Sequence, residues 1–521
     1  MSSPAGLHRS RVARATARLI ALSCVAATAQ AGRVIQVPLL EPVLVEQYTP
    51  LEEEMATGVT DLMAEALRFC PDGCYASVDD LFTEASGLEG AAFSVLFPGQ
   101  GGGYAQSFAE LQAALRWLAP EELFALVPLA TGFANSQLSL LGDHFDSTRF
   151  ISRSRVFAAN RVSAALRNGY ASTDGAGGSS AGADFSRFNL FFNASVGFGK
   201  RDDSTSLTGG GSGPDAGSED AFDFDSSELS LGADWRFSDN LVAGGLVGYT
   251  DRRVDFDPGL SIVEGGIDAK GFSLLTFAQW DDLHWYANAT LGYQQLGYDT
   301  TRRVNVVSEG GFPPSIDALA MGAPDSSSLL ASLNVGVPFQ WGKWGTDLFL
   351  NTSFQKHSID GFSEESNEEG TPLGTLYDVD KQHIKSVDAS LGLKVQYVAT
   401  PAFGVVVPFL RGAFHQEMED SPRQLGLEFQ GLDGVVEDGG LTEAEADALR
   451  DAFRFNLTSD RPDKSYFSAA AGVSAVIRGS SRVSDAGRGG GGLQCFVQYS
   501  TTFGLARYES SAITGGFRYE F

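Results

Sequence analysis

The connections of this chain alternate between very short and long over its last two-thirds, and the segments they join carry apolar residues with a period of two. Twelve such segments can be counted: Phe188–Phe198, Ser227–Phe237, Leu241–Val254, Ala269–Trp280, Leu283–Tyr298, Ser327–Gln340, Trp344–Ile359, Ile384–Val398, Gly404–Met418, Tyr466–Arg478, Leu493–Phe503 and Ala512–Phe521. Period two is the signature of a strand with two unlike faces. In the second segment Leu229, Leu231, Ala233 and Trp235 fall on one face, and Glu228, Ser230, Gly232, Asp234 and Arg236 on the other. Ser238–Asn240, Asp281–Asp282, Gly342–Lys343 and Ala399–Phe403 are tight turns, whereas Arg201–Ala221, Asp255–Asp268, Arg302–Ser326, Asp360–His383 and Glu419–Lys464 are long. Short turns on one side and long loops on the other characterise closed barrels that cross an outer membrane. One connection departs from the rule, because Gly479–Gly492 is long where a short turn is due.

No stretch reaches the roughly 18–20 consecutive apolar residues of a transmembrane helix. A chain that crosses lipid without one must close its strands on themselves, since an open sheet edge would leave backbone groups unpaired in hydrocarbon. Aromatic residues gather beside the tight turns: Trp235, Phe237, Trp280, Trp285, Trp341, Trp344, Tyr519 and Phe521. Such a girdle belongs at a membrane–water boundary, where an apolar ring and a polar edge are both accommodated. The expected fold is an all-β membrane protein, a 12-stranded antiparallel transmembrane β-barrel over residues 185–521.

The net charge of −28 excludes nucleic acid as a partner, because that binding rests on lysine and arginine against phosphate. The acids concentrate in Asp202–Asp223, Glu364–Asp380 and Asp433–Asp451, which read as solvated loops without the spacing of a calcium site. The N-terminus reads as a cleaved export signal over residues 1–31. His8, Arg9, Arg11, Arg14 and Arg18 precede an apolar core from Leu19 to Thr28, and Ala29-Gln30-Ala31 is a small-x-small cleavage site. Cys24 lies inside that leader; Cys70 and Cys74 flank a tight Pro71-Asp72-Gly73 turn and are a candidate disulfide in an oxidising compartment. Two cysteines without a nearby histidine fall short of a zinc site, and Cys495 reads as a small apolar filler.

Before the barrel the period changes. Leu51–Phe69 places Met55, Val59, Leu62, Met63, Ala66 and Leu67 at helical spacings within a mixed stretch from Gly32 to about Gly103, and a second helical region runs from Tyr104 to about Ala159; residues 32–118 form a short N-terminal region. Pro120-Glu121-Glu122 reads as a helix start, and Pro128 predicts a break or kink soon after. Residues 119–184 form a helical linker that ends in a Gly/Ser/Ala-rich joint. Enzymatic motifs are weak. Gly178-Ser179-Ser180-Ala181-Gly182 lacks the strand–turn–helix setting of a nucleophile elbow, and Gly99–Gly103 lacks the lysine of a phosphate loop. An outer-membrane phospholipase would need a serine and a histidine together on a lipid-facing strand, and His357-Ser358 is a chance neighbour pair.

The run Leu229–Ser238 with Gly244–Tyr249, the run Val407–Arg411, Asp463–Phe467 leading into Gly472–Ala475, and the aromatic C-terminus Arg518-Tyr519-Glu520-Phe521 together resemble autotransporter β-domains, in order. The resemblance covers roughly Phe185 to Phe521 and extends loosely to Ala119–Leu141. It implies a translocator of a type V secretion system in the outer membrane of a Gram-negative cell, monomeric, without enzymatic activity or cofactor. Its partners would be outer-membrane lipids, periplasmic chaperones and the barrel assembly machinery, which would read Arg518, Tyr519, Glu520 and Phe521 as the assembly signal. It further implies a helix threading the lumen, for which Thr131–Thr148 is the candidate, with Asn135, Gln137 and Asp143 suited to a polar channel. Some members cut themselves at an asparagine of that helix, and the residues flanking Asn135 do not match such a site. Where the family carries long repetitive passengers, residues 32–118 offer a short segment with no repeat. A structural or adhesive surface protein contacting others through its acidic loops is the alternative, with the phospholipase behind it.

Overall fold

The computed structural model describes residues 38–69, 79–97, 103–167, 187–202, 219–256, 263–282, 284–308, 315–367, 373–401, 404–419, 421–431, 442–477 and 493–520. The leader, Cys70, Cys74 and Phe521 lie outside the described residues.

Twelve strands close into an antiparallel barrel: β1 (Phe188–Arg201), β2 (Phe222–Arg236), β3 (Leu241–Phe256), β4 (Glu264–Asp281), β5 (Tyr286–Val306), β7 (Asp325–Trp341), β8 (Trp344–Ile359), β12 (Gln382–Tyr397), β13 (Gly404–Glu417), β16 (Ser465–Ile477), β17 (Leu493–Phe503) and β18 (Tyr508–Glu520). These are the twelve segments that alternation picks out. β1 and β18 pair from Asn189↔Glu520 to Arg201↔Tyr508, so the sheet has no free edge in lipid. Side chains alternate accordingly. On β4, Phe272, Leu274 and Trp280 point outward and are exposed, while Ser273, Leu275 and Gln279 point into the lumen and are buried. The aromatic girdle stands on the outer face at the short-turn end, with Trp235, Trp280, Trp285, Trp341, Trp344 and Tyr519 all exposed. From Trp344 to Phe354 the outer face of β8 runs ten residue steps. At about 3.4 Å per residue and roughly 40° of tilt, that is about 26 Å, the height of an outer-membrane apolar band.

Above the membrane the described parts of the long loops are folded rather than solvated coil. β5 is 21 residues long; its lower part pairs with β7, and its upper part from Thr300 to Val306 pairs with β6 (Ile316–Gly322). Further strands come from the loops, among them β10 (Glu365–Ser366), which pairs with β6. β9 (Phe362–Ser363), β11 (Tyr377–Val379), β14 (Gln424–Phe429) and β15 (Arg454–Thr458) form a second, four-stranded sheet, and a helix at Glu443–Phe453 leads into β15. Against this sheet pack three N-terminal helices, Pro50–Phe69, Asp79–Leu96 and Phe108–Leu118. Leu51, Met55, Leu88 and Leu115 from the helices share one buried cluster with Tyr377, Leu427, Phe429 and Phe453 from the loops and with Val254, Ile267 and Val304 from the strand tops. Residues 38–118 and the loops therefore make one folded cap on the long-loop side.

Two capping boxes start the first and third helices. The Thr49 hydroxyl accepts from Glu52 N and the Glu52 carboxylate accepts from Thr49 N, with Pro50 at the first helical position. Ser107 and Glu110 repeat the arrangement. Several loop acids are buried and paired rather than solvated: Glu364 accepts two hydrogen bonds from Arg302, at 3.2 and 2.7 Å, and Asp220 lies 4.0 Å from Arg116.

Burial pushes the carboxyls of Glu84 and Glu89 up to about 7 and that of Glu122 up to about 8. A carboxyl raised on folding contributes stability that is fully present below its unfolded value and lost as pH rises through its folded one. The cap is therefore expected to resist proteolysis best at about pH 4 and progressively less as pH rises to about 8, above which no further loss is expected from these groups. Limited digestion of residues 38–118 across that range checks this; a cap that tightens as pH rises would contradict it.

Candidate functional site

The lumen holds an α-helix. A 3-10 turn over Glu121–Ala125 leads into Leu126–Arg167, and Pro128 sits in the first helical turn, where its missing N–H and fixed φ are tolerated. The expected break at Pro128 is thus replaced by a helix start just ahead of it. The helix enters at the cap and runs toward the short-turn end. Tyr298 and Gln294, high in the barrel, donate to the carbonyls of Leu126 and Ala130, while Gln279, near the short turns, donates to that of Phe145.

Between these ends the helix is fixed by polar side chains. Asn135 Oδ1 accepts from Gln355 Nε2 at 2.6 Å, and Gln137 Oε1 accepts from Ser273 Oγ at 3.2 Å. Ser136 bonds Glu228, which also pairs with Arg252. Asp143 accepts from Arg411 Nη1 at 3.4 Å and from Gln498. One turn on, Asp146 accepts from Lys394 Nζ at 2.6 Å and pairs with Arg149, whose guanidinium lies 3.6 Å from the Tyr286 ring centroid. Paired charges can occupy a lumen walled off from lipid because each has a partner. A second knot lies at the seam. Asp234 accepts from Asn189 Nδ2 at 2.7 Å and Arg518 Nη2 at 3.4 Å, and stands 3.2 Å from His144 Nε2. His144 stacks on Phe191, and Phe145 meets Phe277 edge-on.

The helix lies against β3, β4, β5, β7 and β8. Toward β12, β13, β16, β17 and β18 lies a chamber of about 1430 Å³, open toward the loops and lined by polar and apolar side chains alike.

Of the residues expected in the lumen, Asn135, Gln137 and Asp143 all point into the barrel wall and are brought to different strands. At the C-terminus the side chains divide. Arg518 faces inward to Asp234, while Tyr519 stands in the outer girdle. His357 and Ser358 face opposite sides of β8; His357 is buried with Ser328 and Gln355, so the adjacent pair forms no site. The partners Glu228, Asp234, Lys394, Arg411 and Gln498 were not singled out as binding residues, although their inward parity was readable, because nothing in one strand's sequence says which part of the helix it meets.

Gly248 faces this helix. A Cβ there would collide with the Gln137 amide and the Ser273 hydroxyl. Gly248→Leu is expected to destabilise the folded form by about 1–3 kcal/mol through overpacking, read as a lower temperature at which the compact gel band converts to the unfolded one. An unchanged temperature would mean that the helix does not rest on β3.

A closed twelve-stranded barrel, girdled by aromatics and plugged by a helix that arrives from the cap side, defines an outer-membrane transport barrel. A model of the autotransporter beta-domain family matches residues 205–484, more than half of the chain, and the protein belongs to that family. No curated protein matches the chain. Among solved structures it is similar to the translocator domain of autotransporter NalP from Neisseria meningitidis, at 11% identity over 70% of this chain and 98% of that one, with a TM-score of 0.42. The beta domain of the Bordetella autotransporter BrkA matches at 16% identity over 64% and 98%, TM-score 0.37. The transport unit of AIDA-I from Escherichia coli matches at 11% over 70% and 97%, TM-score 0.33.

Proposed function

We propose that this translocator displays its own N-terminal region as a permanent cap on the cell surface. Residues 1–31 export the chain and are removed; residues 32–118 are the displayed segment; residues 119–184 link it through the lumen; residues 185–521 are the barrel. The observation that carries this reading is the hydrophobic cluster common to the N-terminal helices and the long loops. A segment released by cleavage would expose apolar surface on both sides of the cut, so the cap is retained. Asn135, Gln137 and Asp143 hold the linker helix in place. Periplasmic chaperones carry the unfolded chain, and the barrel assembly machinery reads Arg518, Tyr519, Glu520 and Phe521 in inserting it as a monomer. Cys70 and Cys74 join in a local disulfide within the displayed segment. The role is one of transport and anchoring, and it requires neither cofactor nor chemical step.

An epitope tag placed at Gly32 tests the reading. In intact cells it is expected to be reached by antibody and by added protease, on a membrane-bound chain that remains in one piece. A tag reached only after the outer membrane is opened, or found in the medium, overturns it.

A further inference from the structure

Three inward-facing side chains on neighbouring strands of the open half of the lumen are bonded in series. Ser468 on β16 has its Oγ 2.8 Å from Nε2 of His415 on β13, and His415 Nδ1 lies 3.3 Å from Asp388 Oδ1 on β12. The pairing register explains the convergence, since Ser390↔His415 and Ala413↔Ser468 place the three within one inward step of each other. Phe414 and Phe467, the outward neighbours of His415 and Ser468, and Leu391 of β12 stand on the exposed lipid face. Tyr466 stacks on the imidazole at 4.5 Å and 6°, which fixes the ring plane. Among the described residues the second oxygen of Asp388 has no hydrogen-bond partner, so none of them competes with His415 for the carboxylate. All three residues line the chamber of about 1430 Å³, and the side chains of His415 and Asp388 keep 17% and 13% of their exposure. The other serine–histidine contact, Ser328 with His357, is sealed from that space, both residues being almost wholly buried.

A hydroxyl bonded to an imidazole that is itself oriented by a carboxylate is the arrangement of a nucleophile, its base and the base's positioning group, whatever fold carries it. We propose that Ser468, His415 and Asp388 are a hydrolytic triad that cleaves hydrophilic carboxylic esters entering the lumen from the cell exterior. With its proton on Nδ1, held by Asp388, His415 accepts the Ser468 proton at Nε2 as Oγ bonds to the ester carbonyl carbon. Collapse of the tetrahedral species breaks the bond to the alcohol oxygen, which leaves with the proton from Nε2. Water then adds to the acyl-serine, passes a proton to Nε2, and releases the acid with Ser468 restored; the sum is ester plus water to acid plus alcohol. The substrate class follows from the walls. Ser195, Ser353, Ser390, Ser500 and Thr514 face the chamber, so it suits a water-soluble ester. Lipid acyl chains lie beyond the opposite face of the sheet.

The full-length protein, folded in detergent and verified by its heat-modifiable band, is treated with a biotinylated fluorophosphonate and, separately, with 4-nitrophenyl acetate. The expected result is one phosphonyl adduct, fluoride being displaced by Ser468 Oγ, on the peptide carrying Ser468. Ester turnover should fall roughly 10³-fold or more in Ser468→Ala and in His415→Gln. Asp388→Asn is expected to lower kcat with KM unchanged, which a purely structural carboxylate would not do. A folded wild-type protein that takes no adduct, takes it on a different serine, or turns over ester no faster than Ser468→Ala overturns the proposal. Because the adduct is sought on the wild-type chain, the result stands even if a variant fails to fold.

Discussion

Arg302→Ala is expected to unlatch the cap while leaving the barrel closed. Arg302 springs from the part of β5 that rises above the membrane. It holds Glu364 of the β8–β12 loop through both oxygens and donates to the Leu118 carbonyl, at the end of the last cap helix, and to that of Thr375, both at 3.3 Å. One buried cation thus joins the barrel, a loop and the N-terminal region. Its removal leaves the Glu364 carboxylate buried without its counter-charge, which destabilises by about 3–5 kcal/mol. Limited proteolysis is expected to degrade residues 38–118 quickly, with the heat-modifiable barrel fragment intact. Arg302→Lys should recover only part of the resistance, since an ammonium cannot span two carboxylate oxygens in the same plane. A cap as resistant as wild type would show that apolar packing alone seats it.

Asp234→Ala is expected to act at the opposite end and on the barrel itself. Asp234 touches β1 through Asn189, β18 through Arg518 and the lumenal helix through His144. Alanine leaves the buried Arg518 guanidinium without its carboxylate at the seam where the first and last strands meet, again a loss of about 3–5 kcal/mol. The temperature at which the compact band converts on gels should fall sharply. Asp234→Asn, which retains an acceptor for Asn189, should fall less. Equal stability of all three proteins would remove the seam from the list of what keeps the barrel shut.

The barrel was legible because its information is local. Period-two runs and the contrast of short and long connections sit in contiguous sequence, and all twelve strands follow from them. The parity of each strand also marks Glu228 and Asp234 as inward. The cap was illegible for the opposite reason. β11 has three residues and β14 has six, and Leu425, Leu427 and Phe429 look like stray loop apolars until the helices supply their other side. Glu364 reads as one more loop acid because Arg302, which neutralises it, lies 62 positions away. The helix at Asp79–Leu96 is masked in the sequence by Gly87 and Gly90 in its interior, both poor helix formers. By contrast, the capping boxes Thr49–Glu52 and Ser107–Glu110 stand plainly in the sequence and would have marked two helix starts.

The interior of the cap draws on Leu39 and on Leu457, with most of the chain between them. It cannot condense until both have reached the same side of the outer membrane. Until then the leading segment stays a thin, unknotted thread that a narrow bore can admit. Once they meet, burial of their oily surfaces makes the return journey uphill. Where the leading segment crosses as proposed, this postponed collapse favours the outward state over the return.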